Sequence, residues 1–80
     1  MHEARLCLSL VDLAVAHLAD VSRERIVALR LEVGEVSGVV PEALEGAFPI
    51  CAAGTPAEHA ALVIERVPGR DLRLREMEVT

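Results

Sequence analysis

An α+β domain, with two helices packed on one face of a three-stranded sheet in the order helix, strand, helix, strand, strand, is the fold class this 80-residue sequence predicts. Three observations lead there. A run from Glu3 to about Ala19 lacks Gly and Pro and carries leucines at helical spacing. Ile26 to Val33 alternates in polarity with a period of two. Two further β-rich runs, Ala61–Val67 and Leu72–Val79, are separated by the turn-forming residues Pro68-Gly69-Arg70-Asp71.

In the first helix Leu6, Leu10, Leu13, Ala14 and Leu18 form the expected apolar stripe. Leu8, Val11 and Val15 widen it enough for a partner or a second copy. Glu3 in the first turn favours the helix through its dipole. Residues 20–25 are a polar connection. The first strand places Val27, Leu29, Leu31 and Val33 on a buried face, with Arg30 and Glu32 opposite. Gly34 to Gly38 is a turn-rich loop. Pro41 then opens a second helix, about Pro41 to Ala53, at a position where proline is tolerated. Its core side is Leu44, Phe48 and Cys51 or Ala52, and Pro49 should kink it or end its regular part. Gly54-Thr55-Pro56 breaks the chain. The last two strands are expected to pair as a hairpin through the Pro68–Asp71 turn. The apolar residues of the third strand change parity between Leu72 and Leu74 and Met77 and Val79, which predicts a bulge near Arg75 or Glu76.

The composition, 52% hydrophobic and 1% aromatic, implies a single domain over residues 1–80 with a modest aliphatic core around Phe48. That richness excludes disorder. A formal charge of −5, from 8 basic and 13 acidic residues, argues against nucleic acid as a partner. Asp12, His17 and Asp20 interrupt the longest apolar stretch before it reaches the roughly 18 residues of a membrane span. Cys7 and Cys51 have no CxxC spacing and no secretion signal ahead of them, so a cytoplasmic protein is expected, with both thiols acting as small hydrophobes. No nucleophile, base and orienting group stand at a readable spacing and no phosphate loop is present, so no enzyme is expected.

The chemistry lies at the beginning, Met1-His2-Glu3. The α-amine of Met1 and the imidazole of His2 can close fused chelate rings through the backbone nitrogen between them if a metal displaces its proton. Nitrogen ligands in a plane suit Ni(II) or Cu(II). The methionine should be retained, because processing removes it only before small residues. His17 and His59 are read as ordinary surface histidines, and Glu35, Glu42 and Glu45 as a solvated acidic face.

Five segments in order, Met1-His2-Glu3, Arg30-Leu31-Glu32-Val33-Gly34-Glu35-Val36-Ser37-Gly38-Val39, Pro41-Glu42-Ala43-Leu44 with Phe48, Ile64-Glu65-Arg66-Val67-Pro68 and Leu72–Val79, resemble the HypA/HybF hydrogenase nickel-incorporation proteins from end to end. The resemblance implies a metallochaperone that carries Ni(II) to the precursor of a [NiFe] hydrogenase large subunit with a HypB-type GTPase. In some organisms the family also serves urease. It also implies that nickel is held by the amine of Met1, the imidazole of His2 and backbone amides reaching Glu3.

Two departures stand out. The family carries a zinc ribbon with two CxxC pairs inserted after the segment equivalent to Val67-Pro68, whereas this chain passes from Pro68 to Leu72 through a short turn. No structural zinc is therefore expected. Several relatives have an acidic residue before the proline where this chain has Val40, so weaker nickel binding is expected. These departures support an alternative, an interaction module that docks on the GTPase or on itself without metal. The small core and exposed strand edges leave a homodimer open, including one that swaps a helix or hairpin end.

Overall fold

The computed structural model describes residues 2–80, and the expected amine of Met1 and imidazole of His2 lie outside the described residues. The elements follow the expected order: α1 (His2–Asp20), β1 (Ile26–Gly34), α2 (Pro41–Ala52), β2 (Ala61–Val67) and β3 (Leu72–Val79). The sheet is mixed, with strand order β2-β1-β3. The core lies between its inner face and the two helices, where Leu29, Leu31 and Leu44 are fully buried. Among the described residues no helix is long and apolar enough to cross a membrane.

The pairing of the last two strands corrects the expected hairpin. β2 lies parallel to β1, from Ala28↔Ala61 to Gly34↔Val67. β3 lies antiparallel to the other edge of β1, from Ile26↔Val79 to Val33↔Leu72. The β1–α2–β2 unit is the helical crossover that a parallel pair requires. With β2 in place on one side, β3 completes hydrogen bonding along the other edge of the most buried strand. Two strand spacings come to about 10 Å, within the reach of the turn at ~3.3 Å per residue.

The Pro68–Asp71 turn therefore arches over the end of β1. Three successive amides leaving that strand donate into it or to the strand end beside it: Gly34 to the Asp71 carbonyl at 2.8 Å, Glu35 to Val67 of β2 at 2.8 Å and Val36 to Gly69 at 3.0 Å. The chain passes so close beneath the turn that a Cβ on Gly34 would meet the Gly69 carbonyl carbon at 2.7 Å and the Arg70 nitrogen at 2.9 Å. Gly69 itself has φ +104°, a conformation that favours glycine.

Two bulges set which side chains face the helices. One falls at Arg75, since Arg30 pairs with Glu76 and Leu31 with Leu74, and this is the bulge that the parity change predicts. It keeps Leu72, Leu74, Met77 and Val79 all packed against the core. The other falls at Val27, between the Ile26↔Val79 and Ala28↔Glu78 pairs. It was not expected, and it corrects the β1 face: Ile26 is buried and Val27 is exposed.

The helices also differ from the expectation in detail. The buried residues of α1 are Cys7, Leu10, Val11, Ala14 and Leu18, whereas Leu13 is exposed and Leu6 only half-buried. The stripe is rotated because α2 packs along the Cys7 flank, with Cys7 Sγ 3.9 Å from the Leu44 carbonyl oxygen. In α2, Leu44, Phe48 and Ala52 are buried as expected. The helix runs through Pro49 to Ala52, so this proline does not end it. The Pro49 ring lies on an exposed flank, outside the packed interface.

The close approach at Gly34 predicts that Gly34→Ala forces the turn away from β1 and destabilises the fold by about 2 kcal/mol. Chemical denaturation monitored by circular dichroism measures this, and an unchanged midpoint would mean that the turn is free to move.

Candidate metal centre

The first turn of α1 meets the N-terminus of α2. Glu3 Oε2 accepts a hydrogen bond from the Val40 amide at 3.2 Å, and Val40 is the N-cap of α2, followed by Pro41 in the first helical position. Valine offers no side-chain acceptor, and α2 has no side-chain cap of its own. In a capping box the third helical residue reaches back to the N-cap amide. That residue is Ala43, which has nothing to reach with. The carboxylate of Glu3, reaching across from α1, makes this bond instead, and its charge sits where both helix dipoles favour it.

This contact brings Glu3 and Val40 together, two positions that the sequence marks separately. The Val40 side chain is half-exposed and supplies no ligand. Ser37 supports the approach to the helix, its Oγ accepting from the Val39 amide at 3.2 Å. Glu35, Glu42 and Glu45 are exposed, as a solvated acidic face requires. His17 lies in the last turn of α1 and His59 in the connection before β2, and both are exposed. Among the described residues no group of three or more His, Cys, Asp or Glu side chains is placed to hold a metal ion.

The thiols are the feature that the sequence reading missed. Cys7 is fully buried, as a small hydrophobe should be. Cys51 is half-buried, and its Sγ lies 3.8 Å from the Ala4 carbonyl oxygen of α1. Each sulfur thus lies against the backbone of the opposite helix. Burial, with Cys51 beside it, pushes the Cys7 thiol from 9.0 up to about 12. A signal was present: Cys7 precedes Val11 and Ala14 on the buried side of α1, and Cys51 follows Leu44 and Phe48 at helical spacing on α2. Only knowledge that these two faces pack together turns it into a pair.

The similarity to known proteins covers the whole of this arrangement. A family model described as hydrogenase/urease nickel incorporation, metallochaperone, hypA matches residues 1–78. The chain belongs to the HypA family. The hydrogenase maturation factor HypA of Deinococcus radiodurans is 54% identical over 69 residues, covering 86% of this chain and 58% of the relative. Its namesake in Geobacter sulfurreducens is 49% identical over 70 residues, covering 88% and 61%. That of Streptomyces avermitilis is 45% identical over 73 residues, covering 88% and 54%. The chain thus spans a little over half the length of the HypA relatives it matches.

Two outcomes follow for stability. Glu3→Ala should cost about 1 kcal/mol by removing the acceptor from the α2 N-cap, and Glu3→Gln less because its amide oxygen can still accept. Equilibrium urea unfolding of the three chains gives the order. The folded chain holds the Cys7 proton more tightly than the unfolded chain, so that contribution is complete below pH 9 and is lost as pH rises toward about 12. The sequence contains no Lys or Tyr to obscure this window. Cys7→Ala should flatten the alkaline fall in stability, read as melting temperature against pH.

Proposed function

We propose that this chain is a nickel-handling module of hydrogenase maturation that binds Ni(II) through Met1, His2 and Glu3 and passes it on. The observation that carries this reading is the HypA family match, which begins at residue 1 and so includes Met1-His2-Glu3. The ligands are the Met1 amine, the His2 imidazole and backbone amide nitrogens reaching Glu3. His2 is the first residue of α1, where amides lack intrahelical acceptors, so a metal does not compete with the helical ladder for them. The positive end of the helix dipole, equivalent to about half a charge, opposes a bare cation there. Each amide that loses its proton adds a negative charge and offsets this opposition.

The Glu3–Val40 bond holds this first turn against α2 while the terminus ahead of it closes on the metal. Ligands that are neutral imidazole and deprotonated amides take up protons as pH falls, so acid releases the cargo. Cu(II) binds such a set at least as tightly, and selection of nickel therefore falls to the delivery partners and to metal supply. Those partners are a HypB-type GTPase and the precursor of a [NiFe] hydrogenase large subunit, with urease as a further recipient in some settings. The module carries nickel as cargo and catalyses no reaction of its own. Val40 supports a second reading, a docking module without metal, because the residue held beside Glu3 brings no ligand.

A nickel titration of the untagged chain, by calorimetry and absorption, tests the first reading beside a copy with one residue added ahead of Met1. The expected result is about one nickel per chain with a planar-type spectrum, lost in the extended copy and in His2→Ala, and weakened as pH falls. No binding in any copy rejects nickel delivery. GTPase docking that survives in His2→Ala would then leave the docking module as the function.

A further inference from the structure

The Cys7–Cys51 pair plays no part in the proposed nickel chemistry, yet it lies at the contact between α1 and α2. Each sulfur reaches the backbone of the opposite helix: Cys7 Sγ is 3.9 Å from the Leu44 carbonyl oxygen on α2, and Cys51 Sγ is 3.8 Å from the Ala4 carbonyl oxygen on α1. Helical side chains lean toward the N-terminus of their helix. Cys7 therefore leans over the turn that contains Ala4, where the Cys51 sulfur already sits. The two thiols thus face the same stretch of the helix–helix contact from opposite sides, and both are free. Their exposure is asymmetric, with Cys7 fully buried and Cys51 open to solvent on one side.

We propose that Cys7 and Cys51 form a redox-active pair that exchanges with small disulfides, of which oxidised glutathione is the test case, and closes a disulfide staple between α1 and α2. Cys51 is the entry thiol, because it is the one that a solute can reach. Its thiolate attacks one sulfur of glutathione disulfide, forming a mixed disulfide and expelling one glutathione thiolate. Cys7 then loses its proton and attacks the Cys51 sulfur. The Cys7–Cys51 bond forms, the bond to glutathione breaks, and the second glutathione thiolate leaves. The two cysteine protons end on the two glutathione thiols; the protein dithiol is oxidised and the glutathione disulfide reduced. The closed staple fastens the second turn of α1 to the last turn of α2, one turn along α1 from Glu3.

The test uses the full chain, reduced and treated with a chelator, in buffers of graded reduced-to-oxidised glutathione ratio, quenched by alkylation. Intact mass and peptide mapping are expected to show loss of two hydrogens, no retained glutathione and a Cys7–Cys51 cross-linked peptide, with an upward shift in melting temperature. Cys7→Ala should instead accumulate one glutathione on Cys51, and Cys51→Ala should leave the buried Cys7 unmodified. A wild-type chain that keeps glutathione on Cys51, forms disulfides only between chains, or leaves both thiols free at every ratio overturns the proposal. The wild-type map decides the matter even if a variant folds poorly.

Discussion

The end of β1 is where the chain has least room. Gly34, Glu35 and Val36 spend their amide protons on the turn that joins β2 to β3, and Gly34 has no side chain to keep that turn at a distance. This clamp places the outer strands on opposite edges of β1. It makes β1 the shared partner of two ladders and orients the inner face that Leu29, Leu31 and Val33 present to the helices. With 80 residues and one aromatic side chain, the domain has little other buried area to spend. Its fold rests on central pairing and aliphatic packing together.

The helices depend on one another as well as on the sheet. α2 begins without a capping side chain and borrows a carboxylate from α1. Further along the same pair, each cysteine sulfur touches the backbone of the opposite helix. The start of α1 is thus held by polar contact at Glu3 and by sulfur packing at Ala4 and Cys7. An exposed hydrogen bond contributes modestly, on the order of 1 kcal/mol. Such a bond positions the segment without making it rigid.

The element order, both helices, the strand limits and the Arg75 bulge were legible in the sequence because they follow from local periodicity and turn chemistry. The partner of β3 was not. Pro68-Gly69-Arg70-Asp71 marks a reversal equally well whether the chain returns beside β2 or steps over β1, and only the burial demand of β1 separates the two. The burial of Ile26 in place of Val27 was hidden for a related reason, since a bulge in one strand depends on register with another. The rotated stripe of α1 likewise depends on where α2 lands. At the candidate site, Glu3 was legible as a helix-start acid, but its bond to Val40 links positions far apart in the chain.

The four residues that arch over β1 stand at the same end of the sheet as the loop leading to Val40. A narrow cleft of about 30 Å³ there is lined by Val33, Gly34 and Glu35 of β1 and its exit, by Arg66 near the end of β2, and by Val39 and Pro41 at the entrance to α2. Whatever length a protein of this kind gains between β2 and β3 would leave and rejoin the body at that rim. The ladders below would keep their register, while the added surface would rise next to the first turn of α1. The sheet topology thus gives the fold a doorway beside the start of α1, where new chain can be appended without rebuilding the domain beneath it.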